Sequence, residues 1–117
     1  IGCSCSDSIR MTRKSIEEGA NYLAFGPVFK TKNKRKSKIN IEKLLEIKKE
    51  ISLPFTVIGG INHKNIHKLK KIQPNYVAII DSLWNFNQGP IESALKFKES
   101  LEALWKSLLI WLKLEMY

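Results

Sequence analysis

The sequence predicts an α/β fold in which successive βα units share one parallel sheet. Three observations carry this. Four short runs, Ile1–Ser4, Tyr22–Gly26, Phe55–Gly59 and Tyr76–Ile80, are almost wholly apolar or small. Such runs suit strands buried on both faces. Each is followed by turn residues and then by apolar residues at helical spacing. The runs start at residues 1, 22, 55 and 76, so each interval holds one right-handed helical crossover.

Taken in order, the first run leads to a helix capped by Asp7 or Ser8, with Ile9, Thr12 and Ile16 turned inward and Gly19 as its stop. The second helix follows Asn40, places Ile41, Leu44, Leu45, Ile47 and Ile51 on one face, and cannot pass Pro54. A third helix is expected after Asn62 or His63, with Ile66, Leu69 and Ile72 inward, ending before Pro74. A fourth starts near Pro90 and runs at least to Leu104. The apolar stretch 104–117 carries Lys106, Lys113 and Glu115 and is too short and too charged to span a bilayer. It reads first as a packed helical extension, second as an amphipathic membrane-surface segment. Residues 1–103 and 104–117 are therefore expected as a βα domain and a helical tail.

Composition sets outer limits. A chain of 117 residues, 44% hydrophobic and 26% charged, supports one small domain with a modest core. No membrane-length apolar run and no leader-like segment is seen, so a cytoplasmic protein is expected. Cys3 and Cys5 would point the same way from a strand, which suits reduced, packed thiols better than a metal or redox site. The net charge is +9, with a pI near 9.7. It favours an anionic partner, whether nucleic acid, an acidic membrane surface or a small phosphorylated molecule. Lys48, Lys49, Lys68, Lys70 and Lys71 read as solvated helix faces.

The middle interval is the longest, and its excess is a cationic loop. From Lys30 to Lys38, six of nine residues are cations: Lys30, Lys32, Lys34, Arg35, Lys36 and Lys38. In parallel α/β folds ligands gather at the carboxyl ends of strands. There lie Ser4–Asp7, the cationic loop, Gly59-Gly60-Ile61-Asn62 and Asp81-Ser82. Paired glycines let backbone approach a phosphate closely. Thr31, Asn33 and Ser37 add neutral donors, and Lys34 or Arg35 full charge. From composition alone a solvated charge run is the plainer reading of the loop.

Further residues add a family resemblance. Ile1-Gly-Cys-Ser4, Phe25-Gly-Pro-Val-Phe-Lys-Thr-Lys-Asn-Lys34, Val57-Ile-Gly-Gly-Ile61 and Val77-Ala-Ile-Ile80 resemble, in order and spacing, the second half of the thiamine-phosphate synthase and thiazole tautomerase family. The likeness covers about residues 1–100. It implies a parallel (β/α) half-barrel corresponding to strands 5–8 of a TIM (β/α)8 barrel. It also implies a transferase of thiamine biosynthesis. That enzyme couples hydroxymethylpyrimidine diphosphate with hydroxyethylthiazole phosphate and releases pyrophosphate.

By the same resemblance, Ser4 contacts the pyrimidine diphosphate, Thr31 the thiazole phosphate, and Lys34 the departing pyrophosphate, as the catalytic residue. Gly60 offers backbone to the thiazole phosphate, and Ile80 with Asp81 closes the site. Asn33 stands at the family's second threonine and can still donate to phosphate. Asp81 replaces a serine and would repel phosphate; Ser82 is the nearest substitute. Ser6 replaces the histidine of the tautomerases, which weighs against that activity. Magnesium is implied for the whole enzyme, but its ligands would lie in the first half of the barrel, so no metal ligand is assigned here. Four βα units cannot close the barrel, so a missing first half or a second half-barrel is the expected partner. The alternatives are a tautomerase-like or degenerate phosphate-binding barrel protein, and a basic nucleic-acid binder.

Overall fold

The computed structural model describes residues 1–31, 38–104 and 109–112. Its elements are β1 (Gly2–Ser4), α1 (Ile9–Glu17), β2 (Tyr22–Phe25), α2 (Ile41–Glu50), β3 (Phe55–Ile58), a 3₁₀ helix (Ile66–Lys71), β4 (Tyr76–Ile79), α3 (Asp81–Trp84), α4 (Pro90–Leu104) and β5 (Leu109–Leu112). All four expected strands are present to within a residue at each end. The sheet runs β1-β2-β3-β4-β5, and every neighbouring pair is parallel. A doubly wound sheet reverses its strand order at a switch point. This one never reverses, as in an arc cut from a barrel.

Strand pleating separates the two faces. Cys5, Leu23, Phe25, Phe55, Val57, Val77 and Ile79 point into the main core. There they meet Leu44 and Ile47 of α2, Ile66 and Leu69 of the 3₁₀ helix, and Phe97 and Leu101 of α4. Phe25 and Phe55 meet edge to face, with ring centroids 5.7 Å apart. Both cysteines are free: Cys5 lies in this core and Cys3 packs against it. The alternate residues form the other face. One row of it follows the register Ser4, Ala24, Thr56, Tyr76.

Among the described residues, no helix layer covers that second face. Tyr22, Thr56 and Tyr76, with Asn21 and Pro54, line an open cleft of about 360 Å³ toward the amino ends of the strands. The Thr56 hydroxyl is buried with no hydrogen-bond partner among the described residues. A closed barrel fills this space with side chains from the opposite strands. The outermost helices are bare in the same sense: Met11 and Ile16 on α1, and Ile91 and Leu95 on α4, are exposed.

Local signals explain most boundaries. Ser8 caps α1 by accepting from the Met11 N–H (3.1 Å), and Asn40 caps α2 through the Glu42 and Lys43 N–H groups. Gly19, at φ +92°, follows the last turn of α1. Three expectations are corrected. Thr12 is buried and Ile9 packs on the core as expected, but Ile16 is 39% exposed and Ser15 is buried in its stead. Ser15 is small enough to pack there against the residue just past β1, its Oγ 3.6 Å from Cys5 Sγ.

The third helix is a 3₁₀ segment, although Ile66, Leu69 and Ile72 are buried as expected. The Asn62–Asn65 turn precedes the segment, and Gln73, at φ +45° before Pro74, ends it after about two turns, a short connector of the kind in which 3₁₀ turns are common. Lys48 Nζ donates to the Ile72 carbonyl just past its end. The helical tail is the third. Residues 109–112 form β5, because the open ladder of β4 offers backbone hydrogen bonds to a β-branched and aromatic run. The remainder of the expected extension lies outside the described residues. No helix among the described residues is long and apolar enough to cross a membrane.

Candidate functional site

The loops that leave the carboxyl ends of the strands surround a cavity of about 560 Å³. Its wall holds Ser4 at the end of β1, Thr31 after β2, Gly60 after β3, and Ile80, Asp81 and Ser82 after β4. Six of the residues singled out in the sequence are thus brought together by the register alone. Asn33 and Lys34 lie outside the described residues, as do Arg35 and Ser37.

The β2 and β3 loops are packed backbone to backbone. The chain passes a cis Gly26–Pro27 peptide and then keeps pairing with β3: Val28 N–H donates to the Ile58 carbonyl (3.0 Å) and Phe29 N–H to that of Gly59 (3.1 Å). A side chain at Gly26 would run into the Ile58 carbonyl, and one at Gly59 into Pro27. Gly60 has φ +67°, and a Cβ there would lie 2.5 Å from the Lys30 carbonyl oxygen. The paired glycines therefore serve loop-on-loop contact first, and the cavity wall is the product of that contact. Ile39 N–H donates to the Pro27 carbonyl (2.7 Å) and closes the base of the cationic loop. Ile39 itself is buried in the main core.

The β3 turn is held by its own asparagines. Asn62 Oδ1 accepts from the Lys64 and Asn65 N–H groups, while Asn65 Oδ1 accepts from the Asn62 N–H (2.8 Å). Asn65 Nδ2 donates to the Gly60 carbonyl at 2.8 Å. Asp7, after β1, accepts the Asn40 N–H and so ties its loop to the start of α2. Asp81 is exposed in the first turn of α3, and its Oδ1 accepts from Asn85 Nδ2 at 2.6 Å.

Sequence reasoning missed the support behind Ser82. Ser93 Oγ donates to the Ser82 carbonyl (2.7 Å), and its own oxygen meets His63 Nε2 at 2.9 Å. A hydroxyl has one proton. With that proton on Ser82, His63 must donate from Nε2 and leave Nδ1 bare. His63 Nδ1 is buried without a partner among the described residues, and the ring stacks on Phe97 at 3.8 Å. No local pattern joins His63 to a serine thirty positions away in another helix. Only the pairing of Pro90 with a following amphipathic run hinted that a helix would pass there. Gly26, Pro27 and Asn62, also on the cavity wall, had a visible signal: turn residues directly after apolar runs.

Burial, and then the charge of Lys96, hold the His63 imidazole below its ordinary pKa. The unfolded chain takes up that proton first as pH falls. Stability from this group is therefore complete above the unfolded pKa of 6.5 and is lost as pH drops below it toward the lower folded value. We expect the urea midpoint to fall between pH 7.5 and 5.5 more steeply in the native chain than in His63→Gln. Parallel profiles for the two would show that His63 titrates normally.

Among the described residues no group of three or more His, Cys, Asp or Glu side chains could hold a metal ion. Asp81 alone does not fit a magnesium site.

Known proteins resemble the chain along most of its length. A family model described as thiamine monophosphate synthase matches residues 1–83. The thiamine-phosphate synthase of Pelagibacter ubique is 41% identical over 100 residues, covering 84% of this chain and 48% of that protein. That of Wolinella succinogenes is 33% identical over 107 residues, covering 91% of this chain and 48% of the relative. Among solved structures, a thiamine phosphate pyrophosphorylase from Pyrococcus furiosus superposes with a TM-score of 0.77 at 26% identity. That match covers 89% of this chain and 49% of the other. The chain thus spans about half the length of these relatives, and its singly wound sheet matches half of a TIM-barrel-like fold. With the sequence model, the relatives and the superposed fold agreeing, the chain belongs to the thiamine monophosphate synthase family.

Proposed function

We propose that this chain is the second half-barrel of a thiamine-phosphate synthase, and that its strand-end cavity receives the phosphate of hydroxyethylthiazole phosphate. One observation carries the reading: the cavity wall unites Ser4, Thr31, Gly60, Ile80, Asp81 and Ser82, with Lys30 and Thr31 at the start of the cationic sequence among its lining. Thr31 would donate its hydroxyl and the Gly60 turn its backbone to phosphate. Asn33 would add an amide. Lys34 would meet the pyrophosphate that leaves hydroxymethylpyrimidine diphosphate.

In that reaction the carbon–oxygen bond to pyrophosphate breaks, and its electron pair departs with the leaving group. The thiazole nitrogen then supplies the pair for the new carbon–nitrogen bond. No proton has to move, so the step asks for charge stabilisation at pyrophosphate and alignment of two rings rather than for a base. A lysine in place of a general base suits this. Ser6, at the position of the tautomerase histidine, has no titratable group to move a proton. Ser4 would meet the pyrimidine diphosphate from this half, while the magnesium ligands and the remaining diphosphate contacts would come from the other half-barrel, as the partner that completes the enzyme. The surrounding cations would draw both anionic substrates inward.

The test is calorimetric titration of the chain with hydroxyethylthiazole phosphate, with the unphosphorylated alcohol as control. Binding that needs the phosphate and weakens about tenfold in Thr31→Ala supports the reading. Equal binding of phosphate and alcohol, or none by a folded chain, removes the site. Asp81 lines the same cavity and carries a negative charge at its edge. Asp81→Ser should therefore tighten the phosphate complex roughly three- to tenfold at low salt, a gain that shrinks as salt screens it. Weaker binding by that variant would mean that Asp81 assists the ligand.

A further inference from the structure

The β5 strand has no counterpart in the βα pattern that the sequence suggests, and its position decides what else can bind the sheet. It lies parallel to β4, with Tyr76 opposite Leu109, Val77 opposite Ile110, Ala78 opposite Trp111 and Ile79 opposite Leu112. Every residue of β4 is therefore matched. In a parallel strand, successive amides face alternate neighbours. Asn75 N–H donates to the Phe55 carbonyl on the β3 side (3.1 Å), so the amides of Tyr76 and Ala78 face β5. At the opposite margin Cys5 N–H donates to Ala24 on β2, so the amide of Ser4 faces outward from the sheet edge.

Closing eight parallel strands into a barrel joins the last strand to the first, parallel, along the last strand's outer ladder. Resting on the half-barrel reading above, β4 is that last strand. We propose that β5 seals the edge that barrel closure requires, so that the tail strand and the first strand of a complementary half compete for one ladder. The tail protects β4 from indiscriminate strand addition. It must be displaced before a first half-barrel, on the same or another polypeptide, can complete the ring.

The test compares the full chain with the double variant Ile110→Pro/Trp111→Pro. Adjacent strand residues face opposite ways, so one of the two lost amides belongs to the β4 ladder. Amide exchange is read at Tyr76 and Ala78, with Ser4 as the open-edge standard and Leu23 and Val57 as interior ones. The binding probe is the first half of the Pelagibacter ubique relative, expressed separately.

In the full chain, Tyr76 and Ala78 should exchange about 100-fold or more slowly than Ser4. In the variant that protection should vanish while Leu23 and Val57 keep theirs, and the probe should bind at least about tenfold more tightly. The proposal is overturned if Tyr76 and Ala78 exchange as fast as Ser4 in the full chain, a result that needs no variant. It is equally overturned if the variant loses protection at Leu23 and Val57, which would make β5 a core element. Equal probe affinity for the two chains, or none for either, also overturns it. Thiazole phosphate titration reads the strand-end cavity and not this edge. Its failure would remove the site and leave these exchange results standing.

Discussion

Gly60→Ala should abolish binding of hydroxyethylthiazole phosphate and lower the chain's stability by about 3 kcal/mol, from left-handed strain together with overpacking. Two costs combine at this one position. The backbone sits at φ +67°, which an L side chain adopts only under strain. The added methyl would also lie 2.5 Å from the Lys30 carbonyl and 2.8 Å from that of Phe29. Neither neighbour is a flexible side-chain end; both are backbone of the loop that carries Thr31. The loops must part, and the cavity between them opens.

Gly19→Ala is the matched control. Gly19 also has a positive φ, of +92°, but nothing lies within 4 Å of the added carbon. It should show the strain alone, about 1–2 kcal/mol, and leave phosphate binding unchanged. Urea unfolding and calorimetric titration of both variants check the pair. Equal losses in the two would show that loop contact contributes nothing.

The second large effect is expected at Phe97. This ring is fully buried, stacks on His63, and belongs to the core between α4 and the sheet. Phe97→Ala removes that packing and leaves a cavity, at a cost of about 3–5 kcal/mol. Small domains hold only about 5–15 kcal/mol in total. The variant should therefore be close to unfolding at 37 °C.

A second consequence separates this site from any other core position. With the ring gone, water reaches His63 Nδ1, and the His63 pKa should rise toward its ordinary value. The hydrogen bonds through Ser93 to Ser82 would loosen with it. Phe97→Leu, nearer in volume, should cost less and shift His63 less. Urea unfolding gives the energies, and the His63 ring protons give the pKa. A Phe97→Ala chain that loses under 1 kcal/mol, or keeps a depressed His63 pKa, would contradict this account.

The parts of the molecule legible in the sequence are those decided within a few residues. Strands are readable because a short run rich in apolar and β-branched residues, such as Phe55–Ile58, suits a buried, sheet-like setting. Ser8 and Asn40 are readable as caps because each side chain bonds an amide two or three positions on. The candidate site is legible for a related reason. In a parallel sheet, the residues just after each strand meet at one end whatever the details of packing. Strand order alone therefore groups Ser4, Thr31, Gly60 and Asp81.

Contacts between distant residues decided the rest. The periodicity of α1 puts Ile16 inward beside Thr12, but Ser15 takes the buried place and Ile16 stays 39% exposed. The segment 66–71 has helical spacing, yet turns at both ends limit it to a short 3₁₀ connector. The apolar run 109–112 reads as part of a helical extension, but the open ladder of β4 pairs it as a strand. Gly60 reads as a turn glycine, but only the fold shows that the Lys30 backbone fills the space where its side chain would go. By itself the sequence determined the βα order, the caps and the membership of the strand-end site, because each depends on neighbours along the chain. The tertiary structure alone decided the burial of Ser15 in place of Ile16, the His63–Ser93–Ser82 support and the occupant of the β4 edge, because each depends on backbone or side chains brought together from afar.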